Sequence, residues 1–129
     1  MDHGGFFEER VGFVPSRVGA RLEQGRELDP SGSDGYESAV VQALSPGCFD
    51  VKTTQLILWG ILLGQGLMGN GARWNAVAAR RAGASWEELH AVARLAAVHR
   101  GTTALNLAAE IIADLRRQER ERQADTAAG

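Results

Sequence analysis

Residues 62–85 read LLGQGLMGNGARWNAVAARRAGAS. Leu62 and Leu63 close an apolar helix, and the glycines between Gly64 and Gly71 then withdraw side-chain support and raise the entropic cost of order. The helix should fail there. Ala72 to Ala82 is helical again, and Gly83 suits the left-handed position just past a helix end. Ser85-Trp86-Glu87-Glu88 then matches a capping box, in which Ser85 accepts from the Glu88 amide while Glu88 reaches back to the Ser85 amide. A helix, a glycine-rich corner, a short helix and a capped third helix define an all-α chain.

Working outward, Asp50 is placed to cap the helix that runs through Leu56 to Leu63, which is apolar on nearly every face and therefore central. A monomer of 129 residues has trouble covering such a helix on all sides, so a homo-oligomer is expected. The capped helix from Ser85 buries Leu89, Val92, Ala93, Ala96 and Ala97 and stops near His99 or Arg100. Gly101-Thr102-Thr103 opens a last helix through Ala104, Leu107, Ile111 and Leu115. Upstream, Tyr36, Val40, Val41 and Leu44 keep helical spacing until Ser45-Pro46-Gly47. Seven glycines among residues 1–35 and the PSGSDG stretch favour turns, with one short helix over Arg17 to Glu27. The expected organisation is a leader over 1–35, a helical core over 36–117 and a polar tail over 118–129, with about five to six helices. No stretch alternates with period two, so strands are not expected.

A formal charge of -2, with 14 basic and 16 acidic residues, gives no electrostatic case for nucleic acid or an anionic membrane surface. Arginine supplies thirteen of the fourteen basic residues, which points to genome composition, so a single Arg carries little weight. One cysteine, Cys48, forbids an internal disulfide and two-thiol redox chemistry. The N-terminus lacks the pattern of a signal peptide, and the longest apolar run is far shorter than the ~20 residues of a membrane span. A cytoplasmic protein is expected. His3, His90 and His99 lack metal-ligand spacing and have no carboxylate cluster, so no metal and no cofactor are expected.

The order of these signals resembles the carboxymuconolactone decarboxylase and alkylhydroperoxidase D family: Asp50-x-Lys52-Thr53 leading into Leu56-Ile57-Leu58, the glycine corner, Arg81-Ala82-Gly83-Ala84-Ser85, Glu87-Glu88-Leu89, and a small-residue helix after His99 and Gly101. The likeness spans roughly residues 38–115. It implies an all-α subunit assembled as a homotrimer or homohexamer, with active sites near subunit contacts. Redox members carry a Cys-x-x-Cys-x-x-x-His motif at the corner. Its positions fall here on Met68, Gly71 and Asn75, and the Glu often found near the start of the core helix falls on Gln55. No thiolate can form at Met68 or Gly71, which excludes a thiol peroxidase mechanism.

The remaining chemistry-bearing residues are few. Arg73 can clamp a carboxylate or enolate in bidentate fashion, or make a structural ion pair. The Asn75 amide can hold an oxyanion. His99 is the candidate for proton transfer, with His90 the other histidine of the same helix; nine residues apart, they project to opposite sides. Trp59, Met68 and Trp74, with Gln55, would wall a substrate pocket, although both Trp side chains also suit plain core packing. Glu88 is accounted for by the capping box, and Glu110 by solvent or an intersubunit Arg. The expected function is a cofactor-free acid/base enzyme acting on a small carbonyl or lactone metabolite by decarboxylation, isomerisation or cyclisation. The alternative is a catalytically silent binding or assembly subunit of the same fold.

Overall fold

A computed structural model of the chain describes residues 3–66 and 71–128. Within these the chain forms seven helices and no strand: α1 Gly4–Val11, α2 Ser16–Leu28, α3 Pro30–Ala43, α4 Val51–Gln65, α5 Gly71–Arg81, α6 Trp86–Arg100 and α7 Thr102–Ala128. No helix among the described residues is long and apolar enough to cross a membrane.

The central elements follow their local signals closely. Asp50 caps α4, its carboxylate accepting from the Thr53 amide at 2.7 Å. The Thr53 hydroxyl first, and then its amide, hold the Asp50 carboxyl below its ordinary range. The α6 capping box is complete in both directions, at 2.9 and 3.0 Å. Gly66, Gly83 and Gly101 take positive φ values at the ends of α4, α5 and α6, which side chains other than glycine rarely tolerate.

The core lies where α4, α5, α6 and α7 meet. Trp59, Leu63 and Leu89 are fully buried among a set of alanines from α5, α6 and α7. Trp59 donates its indole N–H to the Leu89 carbonyl at 3.0 Å, which fixes α4 against α6. A Cβ placed on Gly60 would stand 2.8 Å from the Val92 side chain, so the glycine permits the close approach of these two helices. Of the two glycines in the Gly60-x-x-x-Gly64 pair, only Gly60 has this packing role: Gly64 is exposed and faces open space.

The leader departs from expectation. Residues 1–35 hold α1, α2 and the start of α3, and the anticipated boundary at residue 35 falls inside a continuous helix. Pro30 occupies the first turn, where its missing N–H costs nothing, and Asp29 accepts from the Gly32 amide at 3.2 Å. The same glycines that favour a turn let α2 and α3 pack closely: a side chain on Gly25 would collide with Ser33. Glu37, buried on α3, is held by both arms of Arg21 from α2 at 2.6 and 3.0 Å. His3 is likewise buried and meets Asp34 at 3.0 Å. The polar tail also stays helical, with α7 running to Ala128.

Candidate functional site

A groove of about 950 Å³ lies between α5, the C-terminal half of α7 and the turn joining α1 to α2. Its apolar floor comes from Val11, Phe13, Trp74, Val77 and Leu115. Phe13 meets Trp74 edge to face, with ring centroids 5.1 Å apart, a favoured aromatic arrangement.

The groove is also rich in guanidinium groups. Arg73, Arg80 and Arg81 share one face of α5 with Val77, because steps of three, four and seven residues return to one side of a helix. Arg73 pairs with Asp114 of α7 at 2.6 Å, and Asp114 is shared with Arg117. Arg80 grips Glu119 with two bonds of 2.9 and 2.6 Å, donates to the Ala84 carbonyl at 2.7 Å and lies 4.0 Å over the Trp86 ring. The bidentate bond from Arg80 holds the Glu119 carboxyl below its usual range, so Glu119 is an anion near neutral pH with its proton-accepting role already taken. Arg81 makes only a long 3.5 Å contact to the Glu9 carbonyl, and among the described residues Arg122 has no carboxylate within ion-pair distance. Arg122 stands beyond ion-pair distance but still adds to the field that lowers the Glu119 carboxyl, so both cations can turn to a guest only as far as these weak contacts allow.

The residues expected to act together are dispersed. Arg73 and Trp74 line the groove. Asn75, about 200° round the helix from Arg73, belongs to the opposite side of α5. Trp59 is sealed in the core, and Gln55, one turn before it, is buried with its amide oxygen unpartnered. Met68 lies outside the described residues. His99 and His90 are exposed on α6, a helix that contributes nothing to the groove. Glu88 caps α6 and meets Lys52 at 3.2 Å, and Glu110 is exposed. Among the described residues no group of three or more His, Cys, Asp or Glu could hold a metal ion.

Sequence reasoning passed over Phe13 and the α7 side of the groove, and placed Leu115 on the apolar face of the last helix without assigning it to a site. The signal was present: Leu115, Glu119, Arg122 and Thr126 recur at steps of three and four residues, which is one face of a helix. It was masked because that face is mostly polar.

Among the described residues, the fold and groove define a broad class, an all-helical bundle with an amphipathic, arginine-rimmed surface groove. Comparison with known proteins finds no matching family model, no similar curated protein and no similar solved structure.

Proposed function

We propose that this protein is a binding subunit, the non-catalytic of the two readings, and that its α5–α7 groove takes a small apolar molecule carrying an anionic group. The observation that supports this reading is the state of the groove's charges: its one acid is tied to Arg80, while Arg81 and Arg122 flank an aromatic floor and neither is in an ion pair of its own among the described residues. Such a surface can stack and neutralise a guest, but it supplies no free group to move a proton.

The test uses the amphipathic anion 8-anilinonaphthalene-1-sulfonate. Its fluorescence should rise saturably with the folded protein, and the dissociation constant should increase at least ~10-fold in Trp74→Ala and in Arg122→Glu, each removing one half of the recognition. Equal binding by wild type and both variants would overturn the proposal. The acid/base reading is tested beside it with small lactones and β-keto acids: turnover that falls ~100-fold or more in His99→Ala would establish it instead.

We also infer self-association, the trimer or hexamer that the family resemblance implies, supported by apolar surface left open on α4 and α6.

A further inference from the structure

Arg80 gives the groove a guanidinium fork whose position does not depend on the acid it holds. Its Nη1 donates to the Ala84 carbonyl at 2.7 Å, and the group sits 4.0 Å over the Trp86 ring. Stacking and this anchor pre-organise the fork. Nε and Nη2 are left to hold the two Glu119 oxygens, at 2.9 and 2.6 Å, the paired geometry in which a guanidinium recognises a carboxylate.

Glu119 is placed differently. Among the described residues it makes no hydrogen bond or ion pair except with Arg80. It stands one turn past Leu115, the last buried side chain of α7. Among the described residues its contact with Arg80 is the one ion pair that joins 116–128 to another helix, with Arg116 lying 6.0 Å from the Trp86 ring. Both side chains of the pair line the groove and stay partly open, at 27% and 23%. The contact therefore has a fixed half and a movable half, and an incoming molecule can reach it. Arg122, three residues on, already adds to the field on Glu119, so it can receive that carboxylate once Arg80 is taken.

We propose that the guest of the groove is an amphipathic carboxylate whose head group displaces Glu119 from Arg80 and whose apolar body lies on Val77, Trp74 and Phe13. The proposal rests on the binding reading above and adds the head-group chemistry and its seat. On Arg80 one carboxylate replaces another, so the outcome is decided elsewhere. Glu119 has the advantage of its tether, which gives it a high effective concentration. The guest has the advantage of the floor. Six residues of α5 place Trp74 about 9 Å along the helix from Arg80, with Val77 midway and the Phe13 ring 44% exposed beside it. A carboxylate on a bicyclic ring covers this apolar surface, which the Glu119 side chain leaves open; acetate has no body to do so and loses to the tether. Once Glu119 has left, the last turns of α7 lose their ion pair to α5, so occupancy of the groove loosens that end of the helix.

Calorimetric titration of the full chain with 2-naphthoate, its neutral amide 2-naphthamide and acetate tests this. The wild type should bind 2-naphthoate and ignore acetate. Glu119→Gln keeps the side-chain size but withdraws the competing charge, so it should tighten 2-naphthoate at least ~10-fold and leave 2-naphthamide unmoved. Glu121→Gln, which removes the same charge without touching Arg80, should give no such gain, and adding Arg80→Gln to Glu119→Gln should abolish it. In the wild type, saturating 2-naphthoate should speed hydrogen exchange of amides 116–124 by at least ~3-fold. Unchanged or weaker 2-naphthoate binding by folded Glu119→Gln would overturn the displacement. Unchanged or slower exchange at the end of α7 would do the same, and that measurement needs no variant to fold. Saturable 8-anilinonaphthalene-1-sulfonate binding that weakens in Trp74→Ala and Arg122→Glu, beside 2-naphthoate binding indifferent to Arg80 and Glu119, would overturn this seat alone. Binding of neither probe would overturn the groove reading with it.

Discussion

Gln55 shows how a side chain can match a functional position by sequence order and yet serve another end. The family resemblance places it where relatives carry a proton-transferring Glu, but the fold buries it one turn from Trp59, with its amide oxygen unpartnered. A buried acceptor without a donor costs free energy that an apolar side chain of similar size would not. Gln55→Leu should therefore raise stability by about 1 kcal/mol in chemical denaturation; a loss would mean that the amide is satisfied and structurally used. Glu37 is the opposite case, a buried carboxylate fully engaged by Arg21. Arg21→Ala strands that charge and should cost about 2–3 kcal/mol, with Glu37→Gln in the same background recovering part of the loss. Composition identified which residues could carry chemistry, but not which of them share a surface: Arg73 and Trp74 reach the groove while Asn75, the next residue along, faces away. A single residue step rotates a side chain by about 100°, so adjacency in sequence says little about a common site.

The core helices were legible from the signals at their ends. Asp50, Ser85, Gly83 and Gly101 each terminate or start an element as their chemistry demands. α3 was obscured because Ser-Gly-Ser-Asp-Gly has low intrinsic helix propensity, and tertiary contacts to α2 through Gly25, Ser33, Arg21 and Glu37 override it. At this scale the α4–α6 crossing makes the sharpest demand. Val92 is β-branched and stiff, so a methyl on Gly60 cannot be accommodated by a simple side-chain rotation. Gly60→Ala should destabilise the protein by about 1–3 kcal/mol, and Val92→Ala should relieve much of that cost when combined with it. Thermal melts of the two single variants and the double close the cycle; strict additivity would show that the helices do not meet at this point.

Across the whole molecule, the long α7 is tied to α5 by two ion pairs, Arg73 with Asp114 and Arg80 with Glu119, and the second of them lies in the wall of the groove. Binding surface and stability are therefore coupled to one ionisable contact. The Arg80 bonds depress the Glu119 carboxyl relative to the unfolded chain, where a Glu titrates near ~4.3. A depressed acid stabilises the fold fully above its unfolded value and loses that contribution as pH falls through the folded one. The acid limb of the stability curve should accordingly steepen below pH ~4, with no effect from this pair near neutrality. Glu119→Gln removes the titration while keeping the side-chain shape, so its stability should be lower than wild type at neutral pH and converge with it in acid. Urea melts of both proteins across this range decide the matter. Parallel curves, separated by the same amount at every pH, would mean that the Arg80–Glu119 contact does not hold α7 to α5 in solution and that the groove wall is not built as described.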